Sequence, residues 1–125
     1  RTVQLEELTV LTGSVTPTAT ARVKVRLNGD WEERIDSAIG VGPVDAAVGS
    51  LLKTFKEIGK IELLEYEIEA VSGGTDALGY TAVKLRDENG YIVAGNAAHE
   101  DIVMSSVQSI VMGLNKLMIM RKKGK

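Results

Sequence analysis

The chain has 125 residues, no cysteine and a formal net charge of −2 with both signs mixed. It is long enough to bury a core unaided. It excludes disulfides, thiolate zinc sites, a cysteine nucleophile and the broad basic footprint of a nucleic-acid binder. Five aromatic residues, Trp31, Phe55, Tyr66, Tyr80 and Tyr91, are too few for a base-stacking platform. No signal peptide is legible. The longest apolar stretch, residues 102–120, is interrupted by Ser105, Ser106, Gln108, Ser109, Asn115 and Lys116, so no membrane span is expected. A first residue that is Arg1 rather than Met suggests a piece of a longer protein, and the absence of cysteine suits the reducing cytoplasm.

Residues 4–12 read as a strand and residues 13–17 as a turn. Residues 22–27 alternate, with Val23, Val25 and Leu27 on one face and Arg22, Lys24 and Arg26 on the other, as in a half-buried strand. Asn28-Gly29-Asp30 is a turn signal. Residues 32–39 predict a third strand, with Ile35 and Ile39 inward. The period then changes. Val44, Ala47, Val48, Leu51, Leu52, Phe55 and Ile58 fall on one face of a helix. Gly42 suits its N-cap, Pro43 its first turn and Gly59 its stop.

The second half replays this order. In residues 61–72, Leu64, Tyr66, Ile68 and Ala70 stand opposite Glu65, Glu67 and Glu69, and Leu63 lies off that apolar parity. Residues 72–76 form a loop. Residues 80–86 and 91–98 predict a hairpin around Asn89-Gly90. Asp101 then caps a final helix of roughly 17–20 residues. Residues 22–29 return as 82–90, and residues 38–47 return more loosely as 97–106, at a period of roughly 60 that exceeds solenoid repeats. The prediction is an α+β fold: three strands and a helix, twice, with antiparallel sheets, helices on one face and a pseudo-two-fold relation. One domain spans 1–125, with repeats of about 1–59 and 60–125. The final helix is apolar around most of its circumference, so it is expected to meet a partner chain or a larger body as well as its own sheet, a tightly wrapped core helix being the other reading.

Two segments could carry binding chemistry. In residues 40–47, Gly-Val-Gly-Pro-Val-Asp-Ala-Ala, glycines admit close approach and the first-turn amides face an anion. A capped helix after a tight turn explains the same residues. No Walker or dinucleotide pattern is present. In residues 73–79, Asp76 could accept from an ammonium or stabilise its own turn. His99-Glu100-Asp101 reads as a polar helix cap rather than a metal site, because adjacent residues do not converge on one ion and the chain has no second histidine. No nucleophile–base pair stands out, so no catalytic residue is assigned. The basic tail, residues 121–125, reads as a solvated terminus.

Taken in order, Gly40-Val41-Gly42-Pro43-Val44-Asp45-Ala46, then Gly74-Thr75-Asp76-Ala77, then Asp101-Ile102-Val103 with Ser106 and Gly113-Leu114-Asn115, resemble the C-terminal regulatory domain of the 2-isopropylmalate synthase and (R)-citramalate synthase family. The resemblance covers essentially the whole chain. It departs at Val41, where members usually carry a small polar or acidic residue, and at His99-Glu100, where many carry small hydroxyl residues. The resemblance implies a homodimeric domain that binds leucine, or isoleucine in the citramalate enzymes, and inhibits a distant acetyl-CoA-dependent catalytic barrel absent from this chain. Any divalent metal would belong to that barrel, and this chain would have neither cofactor nor activity of its own. The implied effector residues are Gly42, Val44, Asp45, Ala46, Leu63, Tyr66, Ala70, Asp76, Ala77 and Gly79. The implied partners are the effector, a second copy and the catalytic domain, with no nucleic acid and no membrane. A dimerisation module that has lost its effector is the other reading open at this point.

Overall fold

Alternation in the two central strands organises the molecule. The computed structural model describes residues 2–26, 29–56, 59–71 and 78–123. It contains β1 (Val3–Leu11), β2 (Thr18–Arg26), β3 (Trp31–Ile39), α1 (Pro43–Lys53), β4 (Glu62–Val71), β5 (Leu78–Arg86), β6 (Ile92–His99) and α2 (Ile102–Lys123). The chain divides into two compact units, Arg1–Glu57 and Ile58–Lys125. Each is an antiparallel sheet, in the order β1-β2-β3 or β4-β5-β6, with a helix on one face. This is the duplicated βββα, α+β architecture expected from the sequence.

In the first unit, Ala19, Ala21, Val23 and Val25 of β2 are buried beneath α1. Ala46, Ala47, Ser50 and Leu51 of α1 supply the other side of this core. Leu27 lies outside the described residues. On the open face, Arg22 sits between Glu7 and Glu33, at 3.1 and 2.9 Å. Hydrogen bonds to those two carboxylates, Glu7 first, raise its pKa above the ordinary arginine value.

The third strand turns opposite to the expectation. Ile35 and Ile39 are 59% and 73% exposed. The register pairs Ala38 with Ala19, and Ile35 with Arg22. Directly paired residues share a face, so Arg34, Asp36 and Ala38 take the helix side. Arg34 earns that place by stacking over Phe55, 5.6 Å from the ring centroid, and by donating to the Thr54 carbonyl at 2.8 Å. The helix also ends earlier than expected, at Lys53 rather than near Gly59. Thr54 Oγ1 donates to the Leu51 carbonyl at 2.6 Å, and the amides of Thr54 and Phe55 turn back on Leu51 and Leu52. Phe55 is buried just beyond the helix, and Ile58 lies outside the described residues. Gly59, at φ +80°, belongs instead to the second unit, where it packs on Glu88.

In the second unit, Thr81, Val83 and Leu85 of β5 lie buried under Val107, Ile110, Leu114 and Leu117 of α2. The hairpin around Asn89-Gly90 is fixed by the buried Asp87. Its Oδ1 accepts from the amides of Asn89 and Tyr91, and its Oδ2 from Arg121 at 3.1 Å. That last bond ties down the end of α2, which at 22 residues is longer than predicted. α2 is long and apolar enough to cross a membrane by length and composition, but one side of it packs on β5 and β6. Ile102, Met112 and Ile119 remain exposed.

Small residues let α2 approach its sheet. A Cβ on Gly95 would collide with the Ser109 carbonyl oxygen and lie 3.0 Å from the Gly113 amide nitrogen. A Cβ on Gly113 would lie 2.7 Å from Leu85 Cδ1. Overpacking of this kind costs about 1–3 kcal/mol. Gly95→Ala is therefore expected to lower the unfolding free energy by about that amount, measured by urea denaturation. A variant as stable as the parent would mean that α2 can lift off β6 at no cost.

Candidate functional site

The two helices begin differently, although the repeat makes them counterparts. Gly40 donates to the Pro17 carbonyl at 3.0 Å, and a Cβ there would strike the Ala46 amide nitrogen and lie 2.7 Å from Asp45 Oδ2. Gly40 thus lets the loop lie directly on the first turn of α1. Gly42, the N-cap, has φ −154° and ψ 174°, an extended conformation open to any residue. A Cβ there would meet nothing within 4 Å. No side chain caps α1, and Pro43 occupies its first turn. The Ala46 amide makes the first helical bond, to Gly42 at 3.0 Å. The amides of Val44 and Asp45 precede it and have no acceptor within the helix. Asp45 turns its own carboxylate back, accepting from the Val41 amide at 3.0 Å. Val44 is half-buried, Asp45 exposed and Ala46 fully buried.

α2 closes its own N-terminus. Asp101 Oδ1 accepts from the amides of Val103 and Met104 at 2.8 and 3.4 Å. His99 Nδ1 in turn accepts from the Asp101 amide at 2.9 Å. His99 and Asp101 therefore form the polar cap expected for this segment. Among the described residues no group of three or more candidate ligands could hold a metal ion.

The second unit holds an uncovered apolar row. A bulge between Leu63 and Glu65 resets the parity of β4, so that Leu63 pairs with Leu85 and Tyr66 with Val83. Both partners face α2. Leu63 therefore joins Tyr66, Ile68 and Ala70 on the helix side, which strict alternation would not allow. α2 lies over β5 and β6 and leaves this row open: Leu63, Tyr66 and Ile68 are 41%, 36% and 43% exposed. Gly79 pairs with Ala70 and is buried; a Cβ on it would lie 3.0 Å from Ile102 Cγ1. Tyr66 hydrogen-bonds to the helix, its hydroxyl 2.6 Å from Ser106 Oγ. Asp76 and Ala77 lie outside the described residues.

The structure thus groups Gly42, Val44, Asp45 and Ala46 at one helix start, and Leu63, Tyr66, Ala70 and Gly79 on adjacent strands of the other unit. Ile68 and Ser106 are additions to these sets. The parity of β4 already marked Ile68, and Ser106 was visible as a polar break in an apolar stretch. A separate groove in the first unit is lined by Glu32, Arg34, Ile35, Asp36, Lys53, Thr54 and Lys56. Its charges answer one another: Arg34 meets Glu32 at 2.7 Å, Lys56 meets Asp36 at 3.8 Å and Lys53 donates to the Ser37 carbonyl.

Residues 1–118 match the family model of the LeuA allosteric (dimerisation) domain. The chain belongs to this family. It is 47% identical over 117 residues to a probable 2-isopropylmalate synthase of Methanopyrus kandleri, covering 92% of this chain and 23% of that protein. It is 45% identical over 124 residues to the 2-isopropylmalate synthase of Methanocaldococcus jannaschii, covering 98% and 23%. The (R)-citramalate synthase CimA of the same organism is 41% identical over 117 residues, covering 93% and 23%. The chain therefore spans about a quarter of the length of the curated relatives it matches.

The unequal caps make a paired prediction. Asp101→Ala removes the α2 cap and is expected to cost about 0.5–2 kcal/mol. Gly42→Asp adds a favoured N-cap where the backbone is already extended and the space open. Its denaturation midpoint is expected to equal or exceed that of the parent. A clear loss of stability at Gly42→Asp would mean that the open space is needed by the fold.

Proposed function

We propose that this chain is the feedback-regulatory domain of a 2-isopropylmalate synthase, binding leucine and dimerising. The observation that carries this reading is the uncovered row of Leu63, Tyr66, Ile68 and Ala70 in a member of the LeuA allosteric family. An exposed apolar row with one polar tip suits a branched aliphatic side chain. The uncapped start of α1 suits a carboxylate, because free amides and the helix dipole both favour an anion there. Proposed effector contacts are Gly42, Val44, Asp45 and Ala46 in the first repeat, and Leu63, Tyr66, Ala70, Asp76, Ala77 and Gly79 in the second. Leucine stands before isoleucine because the two 2-isopropylmalate synthases above share more identity with the chain than the citramalate synthase does. The same domain of an (R)-citramalate synthase, sensing isoleucine, is the second reading, supported by the 41% identity to that enzyme.

The parent protein would then be a cytoplasmic acyltransferase whose chemistry and divalent metal reside in a separate barrel. In such a protein a coupling of about 1–3 kcal/mol is enough to modulate a distant site. The exposed Met112 and Ile119 of α2 are consistent with a homodimer.

Calorimetric titration with leucine, isoleucine, valine and alanine tests the effector. Burying a leucine side chain is worth about 1.5–3 kcal/mol, so alanine is expected to bind about 10- to 100-fold more weakly. Gly42→Asp is expected to abolish binding in a folded protein, since its carboxylate would repel that of the ligand. Absence of heat with all four at millimolar concentration would leave a dimerisation module without an effector. Sedimentation equilibrium at micromolar concentration is expected to give twice the monomer mass; a concentration-independent monomer would refute the dimer.

A further inference from the structure

The hydroxyl of Tyr66 is held by a bond whose direction can be worked out. Its oxygen lies 2.6 Å from Ser106 Oγ. The same Ser106 Oγ lies 2.8 Å from the Ile102 carbonyl oxygen. A serine hydroxyl has one proton, and a carbonyl oxygen can only accept. One arrangement satisfies both contacts: Ser106 donates to Ile102, and Tyr66 donates to Ser106. Ser106 is fully buried, so water does not compete for the bond. With its proton committed to the helix, the phenol has only lone pairs to offer. About a third of Tyr66 faces outward, on the same row as Leu63 and Ile68.

An acceptor without a proton welcomes a donor and repels another acceptor. An α-amino acid carries an ammonium, a donor, on the carbon next to its carboxylate. The 2-oxo acid of the same carbon skeleton carries a carbonyl oxygen there, an acceptor. The two are nearly the same size, and an apolar wall cannot tell them apart.

We infer that Ser106 is a positioning residue: it makes Tyr66 a fixed acceptor for the effector's ammonium, so that the site takes the amino acid and refuses its 2-oxo counterpart. This rests on the amino-acid reading above and adds the basis of its selectivity. A site built to pair with a ligand group discriminates strongly against an analogue that lacks it, because its own polar group is then left unpaired.

The test titrates the 125-residue chain with leucine and with 4-methyl-2-oxopentanoate, by calorimetry, for the parent, Tyr66→Phe and Ser106→Ala. Melting temperatures without ligand are recorded alongside. The parent is expected to prefer leucine. Tyr66→Phe removes both the attraction and the repulsion, so it is expected to weaken leucine about tenfold and to bind the oxo acid at least as well as the parent does. Ser106→Ala frees the phenol proton, so leucine weakens, the oxo acid strengthens and their ratio narrows by about tenfold or more. Equal weakening of both ligands in the variants would assign Ser106 a structural role and overturn the inference. If Ser106→Ala does not fold, Tyr66→Phe decides, and an unchanged preference for leucine overturns the inference. A parent that binds both ligands equally refutes the inference but not the effector reading. A parent that binds neither refutes both.

Discussion

Backbone contact between α2 and β6 decides what the second repeat can present. Gly95 admits the Ser109 carbonyl and the Gly113 amide at a separation that any side chain would prevent. Close packing of this kind fixes the lateral position of the helix. α2 therefore sits over β5 and β6, and β4 keeps its apolar side open. The first repeat uses a looser version of the device. A Cβ on Gly49 would come 3.2 Å from the Ala38 methyl, and α1 still touches β1. Val3 is buried there, and Leu5, Leu8 and Val10 are half-buried. One duplicated plan thus yields one covered and one uncovered first strand.

The helix starts diverge in the same way. A carboxylate at position 101 answers the first amides of α2 from within the chain. At α1 the matching position is a glycine, and Asp45 bonds outward to the Val41 amide instead. Two copies of one plan thus form an asymmetric domain, with one helix start capped by a side chain and the other not. Tyr66 is the point at which the open row is fastened back to the helix, and its neighbour Ser106 belongs to the run of small residues through which α2 faces its sheet.

Much of this was legible in the order of residues. The strict alternation of β2, the change to helical spacing after Pro43 and the Asn89-Gly90 turn placed the elements correctly. Three features were hidden, each for a physical reason. Ile35 and Ile39 look like core residues, but sheet register is set by pairing with β2, and Arg34 claims the helix side through Phe55 and Thr54. The bulge that moves Leu63 has no compositional signature, because one extra residue in a strand alters parity without altering residue types. The apolar circumference of α2 suggested burial all round. The structure shows Val107, Ile110, Leu114 and Leu117 pressed on the sheet, with the close approach set by Gly95 and Gly113, and leaves Ile102, Met112 and Ile119 exposed. Of the candidate site, spacing showed a glycine-rich helix start and an alternating β4, while the choice of Leu63, Tyr66 and Ala70 came only from the family resemblance. The hydrogen bond from Tyr66 to Ser106 joins residues 40 apart and needed the fold.

β4 lies at the edge of its sheet, and an exposed edge strand with an apolar side invites uncontrolled strand addition. Its glutamates guard against that. If two copies of β4 paired antiparallel with their faces matched, Glu65, Glu67 and Glu69 would stand opposite one another, like charge against like. A shift by one residue relieves the repulsion but brings glutamates onto the side of Tyr66 and Ile68, where burial would strip their water. Either register is penalised. The alternation that leaves the apolar row open therefore also sets a penalty against strand-to-strand aggregation.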